Sequence, residues 1–402
     1  MMQVGFGVTA LCKGLAGGSQ DGISHYTKEL IAQFAKRAEL NLRPFSFNVG
    51  AQDVKELDRK VFEAPAAYPA SKGTTQAPPQ PAPHSVLHLG KYPSGALYSA
   101  FTGADFPGIS KLDKVDLIHA TDHYIPRAKF APIVATLMDA IPFSHPEWSS
   151  GRFRGAKNAL WKKAIGWADH IITISEYSKQ ELCRWTGVSA ERISVIPLGV
   201  DARWFREMTA EEFALVRAKF KLPSQYFISV GTLQPRKNVG AVIAAHRAMS
   251  LAQRKQTPLV IVGRAGWKCE EEIKQIEADA QTGAIIWLQQ VSDAELLPIV
   301  KGATALVFPS LAEGFGLPIL EAYAAAVPVI TSNTTSIPEV AGDAALSVNP
   351  LDIGGITQGM QRLVADSELR EKLVGLGKAQ ASGFSWDKCA DATLLRYRHV
   401  LS

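Results

Sequence analysis

Short runs that are apolar throughout alternate along this chain with longer stretches in which apolar positions recur every three or four residues. Unbroken apolar runs suit strands covered on both faces, and the longer periodicity suits helices packed on one side, so the pattern predicts parallel sheets. In the second half the runs fall at residues 226–230, 259–262, 285–288, 305–308 and 327–331, with helical patterns such as 239–248 and 270–280 between them. In the first half they fall at 4–9, 117–120, 133–137, 170–174 and 194–196. Strand and helix in alternation predict an α/β protein with two Rossmann-like sheets in tandem. The run at 194–196 ends in Pro197-Leu198-Gly199, punctuation that places the join near residue 200. The predicted units are therefore 1–200 and 201–383.

Residues 64–85 (APAAYPASKGTTQAPPQPAPHS) break this pattern, since Pro, Ala and small polar residues cannot build a core. The segment reads as an inert insertion, with a lid over an acceptor as the alternative. The length of 402 residues fits two domains at roughly 100 to 200 residues each. With 47% hydrophobic and 20% charged residues, a disordered or fibrous chain is excluded. No apolar run reaches the roughly 18 residues of a membrane span, and residues 1–10 lack a basic, apolar leader pattern; a cytoplasmic location is expected. Cys12, Cys183, Cys269 and Cys389 are too far apart for a zinc or disulfide framework. The net charge of +5 lies wholly in residues 1–200, which carry 22 basic and 17 acidic side chains. That excess is too small to indicate nucleic acid as a partner.

The strongest chemical signal is Glu313-Gly314-Phe315-Gly316-Leu317-Pro318-Ile319-Leu320-Glu321, between a predicted strand and a helical stretch. Glycines let the backbone approach a ligand, and free amides at a helix start attract an anion such as phosphate. A carboxylate can accept paired hydrogen bonds from vicinal hydroxyls, as on ribose or a hexose. Taken alone, the same residues also describe a helix start stabilised by acidic side chains.

With its neighbours, the segment resembles the retaining glycosyltransferases of family 4, which have the GT-B fold. Their hallmark is two glutamates separated by seven residues, here Glu313 and Glu321. The resemblance continues through Val230-Gly231-Thr232-Leu233-Gln234-Pro235-Arg236-Lys237-Asn238, Ile261-Val262-Gly263-Arg264-Ala265-Gly266-Trp267 and Val291-Ser292-Asp293-Ala294-Glu295-Leu296. Val307-Phe308-Pro309-Ser310 and Ser336-Ile337-Pro338-Glu339-Val340 belong to it as well, and Ile196-Pro197-Leu198-Gly199-Val200-Asp201 looks like the family's domain junction.

The resemblance implies an interdomain cleft that binds a nucleotide diphosphate sugar, without cofactor or metal, and a hydroxyl of a glycan or lipid-linked acceptor. The N-terminal domain would bind the acceptor. Glu321 would hold the ribose, and Glu313 the donor sugar. Arg236 and Lys237 would neutralise the diphosphate, a large catalytic term where charge develops. The backbone amides of Phe315, Gly316 and Leu317, after Gly314, would complete that site; Gly263 and Asp139 would also line it. Ser292 and Glu295 would lie near the base, or else cap a helix. The glycine loop Gly17-Gly18-Ser19-Gln20-Asp21-Gly22 would contact donor and acceptor. Residues 384–402, from Phe384-Ser385-Trp386-Asp387 on, resemble a tail that crosses back onto the first domain. The signatures lean toward GDP-mannose-like donors of polysaccharide or O-antigen assembly.

One departure stands out. Where the family commonly has His-Asp, this chain has Met138-Asp139, and a thioether cannot donate a hydrogen bond. Either the donor lacks a 6-hydroxyl, as a 6-deoxyhexose does, or the change is tolerated while His145, His123 or His119 does the polar work. Residues 152–168 (RFRGAKNALWKKAIGWA) mix basic residues with Trp161 and Trp167. They read as a surface helix packing Leu160, Trp161 and Ile165 inward, or as peripheral contact with the inner membrane face. The rival functions are a GT-B phosphorylase or hydrolase and a catalytically silent nucleotide-sugar-binding subunit.

Overall fold

The computed structural model describes residues 1–16, 21–48, 86–148 and 153–402. The proline-rich insertion at 64–85, Gly17 to Gln20 of the glycine loop, and Arg152 lie outside them. Two parallel sheets account for the strands. The first comprises β1 (Met2–Gly7), β2 (Leu40–Ser46), β3 (Leu87–His88), β4 (Leu117–Ala120), β5 (Ile133–Thr136), β6 (His170–Thr173) and β7 (Ile193–Val195) in the order β3-β2-β1-β4-β5-β6-β7. The second comprises β8 (Phe227–Val230), β9 (Leu259–Val262), β10 (Ile285–Leu288), β11 (Ala305–Phe308), β12 (Val329–Ser332) and β13 (Ala345–Val348), in the order β10-β9-β8-β11-β12-β13. Strands β4, β9 and β11 are buried at every position, which is why their sequences are apolar apart from the hydrogen-bonded His119 of β4.

Both orders reverse beside their first strand, between β1 and β4 and between β8 and β11. In open α/β sheets the loops at the carboxyl ends of strands part at such a switch point and leave a crevice for ligands.

The pattern overran several strand ends, with a change of element at β1, and missed three strands. Residues 4–9 do not form one strand: β1 stops at Gly7, and Thr9 opens the helix Thr9–Ala16 while its Oγ1 accepts the Phe47 amide at 3.0 Å. Strand β2 was hidden by Arg43 and Pro44, while β3 and β13 are edge strands, and short or mixed edges carry little apolar signal.

The chain leaves the first sheet through Gly199 and Val200, and Val200 bridges to Ser385. A Cβ at Gly199 would lie 2.1 Å from the Trp386 amide nitrogen, so only glycine lets the linker and the tail pass. The helix Trp386–Leu401 packs on the helix Gly22–Phe34 of the first unit. Trp386 meets the His25 ring edge-on at 5.4 Å. Deeper in, Tyr397 Oη lies 2.5 Å from His119 Nδ1, His119 Nε2 lies 2.8 Å from Thr136 Oγ1, and Tyr26 Oη lies 2.9 Å from that same oxygen. Burial pushes His119 down to about 3, so the ring is neutral in this chain of hydrogen bonds. The network fixes the tail to the first sheet and occupies both nitrogens of His119.

Candidate functional site

The second sheet's switch point gathers three charged side chains from distant parts of the sequence. Arg236 and Lys237 stand in the short 3-10 turn Pro235–Lys237 after β8, and Glu313 stands in the loop after β11. Lys237 Nζ donates to Glu313 Oε1 at 2.7 Å, and Arg236 donates to Glu313 Oε2. The turn is anchored: Leu311 N donates to the Arg236 carbonyl at 2.8 Å, and Asn238 Nδ2 reaches the carbonyls of Pro309 and Pro350 at 2.9 and 2.8 Å. Lys237 Nζ also sits 4.8 Å from the centre of the Phe308 ring.

Burial alone would push the Glu313 carboxyl up, but the adjacent Arg236 and Lys237 outweigh it and hold the group at about 2. Glu313 is therefore an anion across the working pH range. Burial pulls Lys237 down and Glu313 opposes that. Two cations thus share the Glu313 carboxylate at the cleft wall, with the Asp139 carboxyl also within reach of Arg236.

The following loop is held from both units. Ser336 Oγ donates to the carbonyls of Glu313 and Phe315 at 2.8 and 3.2 Å. From the first unit, Ser175 Oγ and Ser178 Oγ donate to the Gly314 carbonyl at 2.8 and 3.2 Å. Gly314 faces Met138 and Asp139 directly. Asp139 is pushed up by burial, which Arg236 counteracts, and its Oδ1 accepts the Ile141 amide at 3.0 Å. Gly316, at φ 119°, turns the chain into the helix Leu317–Ala324. Phe315 turns its ring toward Phe384 of the tail, centroids 5.8 Å apart, leaving only its backbone to the loop.

Glu321 lies on that helix. Burial pushes its carboxyl up to about 7, against the pull of Arg203 and with a further push from Asp201 and Asp293. Among the described residues nothing hydrogen-bonds to the Glu321 carboxylate, so its oxygens are available to a ligand. The structure thus brings Glu313, Arg236, Lys237, Gly314 and Asp139 together, with Glu321 on the helix that follows.

Other candidates have different surroundings. Gly263, at φ 149°, ends β9 where a Cβ would lie 2.0 Å from the Gly231 carbonyl oxygen, so it serves the close approach of two strand ends. Ser292 and Glu295 form a reciprocal capping box on the helix Asp293–Lys301, and Glu295 is paired with Lys219. The helix-cap alternative describes them; as placed, Glu295 is taken up by its neighbours. Gly22 opens its helix with open space around its α-carbon, and Asp21 caps that helix by accepting Ser24 N at 2.8 Å. Neither Gly22 nor Glu295 touches the Glu313 cluster in any hydrogen bond or ion pair among the described residues. Of the three histidines that could replace a family histidine, His119 is locked as above, and His145 stacks on Trp148 at 3.8 Å and bonds Glu147 at 3.1 Å. His123 is exposed, beside Tyr124.

Sequence reasoning missed several contributors. Arg203 and Asp293 bear on Glu321, and the Glu339 carboxylate accepts the Glu176 and Tyr177 amides at 2.8 and 2.7 Å, tying the second unit to the start of the helix Glu176–Thr186. A serine preceding an acidic first turn marked that helix start, but nothing nearby named its partner across the cleft. The helix Arg154–Ile165 buries Ile165 and packs Leu160 and Trp161 on the first core, with Trp161 stacked on Phe143 at 4.6 Å. Its apolar residues therefore face inward. The exposed apolar groups are on the neighbouring helix Tyr92–Thr102, where Leu97, Tyr98 and Phe101 are surface side chains, together with Phe153. No helix of the described residues is long and apolar enough to cross a membrane. Among the described residues no three His, Cys, Asp or Glu side chains converge as metal ligands.

The sequence profile of "Glycosyl transferases group 1" matches residues 212–380, and that of "Glycosyltransferase Family 4" matches residues 54–204. O-antigen chain mannosyltransferase B of Escherichia coli is 33% identical over 284 residues, covering 70% of this chain and 74% of that protein. O-antigen chain mannosyltransferase RfbU of Salmonella typhimurium is 30% identical over 245 residues, covering 60% of this chain and 63% of that protein. Among solved structures, sucrose-phosphate synthase from Thermosynechococcus elongatus superposes with a TM-score of 0.71 at 19% identity, covering 100% of this chain and 99% of that one. Anabaena Alr3699/HepE in complex with UDP and glucose gives a TM-score of 0.71 at 17% identity, covering 99% of this chain and 100% of that one. The architecture is GT-B, two Rossmann-like units of parallel sheet.

Proposed function

The chain belongs to the glycosyltransferases of group 1 and family 4, and from that premise we propose that it moves a mannosyl or 6-deoxyhexosyl group from a GDP-sugar to a glycan or lipid-linked hydroxyl, with retention. The observation that carries this reading is the convergence of Arg236 and Lys237 on Glu313 at the second sheet's switch point. Two cations balanced by one carboxylate suit a diphosphate whose charge grows as the glycosidic bond breaks. The bond from the anomeric carbon to the diphosphate oxygen breaks, and the acceptor oxygen bonds to that carbon on the same face. The acceptor's proton passes to the departing phosphate. Arg236, Lys237 and the amides of Phe315, Gly316 and Leu317 receive the phosphates, which makes a metal ion unnecessary. Glu313 holds the donor sugar's hydroxyls and Glu321 the ribose.

A thermal-shift panel of GDP-, UDP- and dTDP-sugars at equal concentration tests the donor, because a ligand bound by the folded state raises the melting temperature further the more tightly it binds. GDP-sugars should give the largest shift. Transfer that proceeds in EDTA, with NMR of the product showing the donor's anomeric configuration, supports the rest; inversion of configuration or dependence on a divalent ion overturns it.

Peripheral contact with an anionic membrane face is favoured by a separate observation. Phe101 is 87% and Phe153 81% exposed. Phe153 directly precedes Arg154, Lys163 reaches the Ala100 carbonyl next to Phe101, and neither helix 92–102 nor helix 154–165 has an acidic residue. Exposed aromatics with a basic rim suit the headgroup region.

A further inference from the structure

The turn that follows the junction between the units carries a cation that the reading above leaves unassigned. Arg203 stands in the 3-10 turn Ala202–Phe205, which packs on the helix Leu317–Ala324 and is anchored by the buried Trp204. Asp201 caps the turn, its Oδ1 accepting the Arg203 amide at 2.9 Å. Two carboxylates flank the guanidinium without accepting a hydrogen bond from it: Nε lies 3.4 Å from Asp201 Oδ2, and Nη1 lies 3.7 Å from Asp293 Oδ2. Among the described residues Nε is buried with no hydrogen-bond partner. Buried donors are normally paired, and an arginine that served only to clasp the hinge would be expected to make those bonds.

Across the contact, the Glu321 carboxylate also has no hydrogen-bond partner among the described residues. Arg203 and Lys237 attract it, while Asp201 and Asp293 repel it. Lys237 is already bonded to Glu313, which leaves the attraction mainly to Arg203. The first unit shares that charge: Arg203 and Lys28 both act on Glu29 and His25 of the helix Gly22–Phe34, where burial puts Glu29 at about 7 and His25 at about 4.

Vicinal hydroxyls can donate to both oxygens of a carboxylate only when it is ionised, because a protonated oxygen is itself a donor. Burial favours the protonated form, and a nearby cation favours the anion. A cation bonded directly to the carboxylate would use up an oxygen, as Arg236 and Lys237 do at Glu313. A cation close by but unbonded supplies the charge and leaves both oxygens open. We infer that Arg203 is a positioning residue for the donor nucleotide: it acts on Glu321 through space and keeps both carboxylate oxygens ready for the ribose hydroxyls. The inference rests on the reading of Glu321 as the ribose ligand.

Calorimetric titration of the full chain with GDP between about pH 5.5 and 9 tests it. In wild type the affinity should rise through about pH 7, where Glu321 ionises. Arg203→Met keeps the apolar stem and removes the charge. Its midpoint should move up by about one pH unit, the smaller end of what an adjacent opposite charge does to a carboxylate, so that the Kd at about pH 7 rises about fivefold while that at about pH 9 stays within about twofold. Arg203→Lys should restore most of the wild-type profile. Asp293→Asn, at a side chain that is 68% exposed, removes a repelling charge and should move the midpoint down; it carries the test if Arg203→Met does not fold. In a Glu321→Gln background each of these changes should alter the Kd by less than about twofold at every pH. The ionisation of GDP's own phosphate is common to all variants and cancels in the comparison. A wild-type affinity flat in pH, an unmoved midpoint, a loss uniform across pH, or a loss that persists beside Glu321→Gln makes Arg203 a hinge contact; each overturns the inference and leaves the transferase reading in place. Wild type that binds no nucleoside diphosphate removes that reading and the inference together.

Discussion

The α-carbon of Gly314 faces the carbonyl of Met138 so closely that a Cβ built there would lie 2.7 Å from that oxygen and 3.0 Å from the Asp139 Cβ. Gly314 belongs to the second unit and Met138 to the first, so a single missing methyl group sets how near the two walls of the cleft come. The contact is backbone against backbone and has little room to give. Gly314→Ala should push the walls apart by a fraction of an ångström or more. Misplacement on this scale costs large factors in rate. We expect kcat to fall at least tenfold while the Kd for nucleotide, bound by the second unit, stays within about twofold. Steady-state kinetics with equilibrium titration checks this, and equal losses in both quantities would argue against a role in closure.

Glu313 is the common partner of Arg236 and Lys237 and is itself 7% exposed. Glu313→Ala strands two cations that the fold has partly desolvated. Since Arg236 keeps 24% of its side-chain exposure to water, the stability loss should be about 1 to 3 kcal/mol. Transfer should drop at least about 100-fold, while nucleotide binding persists because the freed cations still face the diphosphate. Undiminished transfer would sink the assignment of Glu313.

These relationships differ in how far the chain announced them. Strands β4, β9 and β11 stood out because both faces are covered and every position is apolar or nearly so, and β10, though a partly exposed edge, because all four of its residues are apolar. Strand β2 did not, since Pro44 and Arg43 interrupt its pattern, and β13 is an edge in which Ser347 breaks the run. Arg236 and Glu313 lie 77 residues apart, and only their place in a recurrent motif suggested that they meet. Ser292 and Glu295 show the opposite hazard: a serine followed three residues later by glutamate is also the signature of a helix start, which is the arrangement they adopt.

Glu321 should give the protein a pH signature. Its carboxyl is pushed by burial to about 7 from an ordinary 4.5, with Arg203 pulling the other way, and Glu29, also buried, shifts similarly. The folded state therefore holds protons that the unfolded chain releases near 4.5. Stability from this source is full below that value and is lost as pH rises through about 7. Glu321→Gln should flatten the decline between about pH 5 and 8, as read by urea melts of the ligand-free protein. Donor affinity should move in the opposite sense in wild type, rising with pH as the carboxylate ionises and accepts both ribose hydroxyls. A Gln variant whose melts run parallel to wild type would show that Glu321 keeps an ordinary pKa.

Met138 packs against the core near the Gly314 contact and offers no proton to a sugar hydroxyl. If it marks a site for donors without a 6-hydroxyl, wild type should favour GDP-rhamnose over GDP-mannose in kcat/KM. Met138→His should shift the ratio toward mannose by about tenfold, the worth of one hydrogen bond to a substrate hydroxyl. Competition assays with both donors measure the ratio directly. The same ratio in both proteins would show that the thioether is a tolerated replacement.

Membrane contact, finally, should depend on apolar side chains outside the basic stretch at 152–168 as well as on the lysines within it. The apolar residues of the helix Arg154–Ile165 are turned into the core, and Lys163 Nζ donates to the Ala100 carbonyl, joining this helix to the one that bears Leu97, Tyr98 and Phe101. The helix that carries the aromatic surface is thus joined to one that carries several cations. Wild type should pellet with phosphatidylglycerol-containing vesicles at low salt, and release should follow as salt screens the lysines. Phe101→Ser with Tyr98→Ser should weaken binding at every salt concentration, because the lost burial is apolar. Lys157→Gln with Lys162→Gln should weaken it by about 1 kcal/mol per charge and reduce the salt dependence. Trp161→Phe should leave partition unchanged, since that ring is stacked on Phe143 inside the fold. A loss caused by Trp161→Phe but not by the Phe101 and Tyr98 changes would place the contact on the other face, and wild type that stays in the supernatant at low salt would remove it.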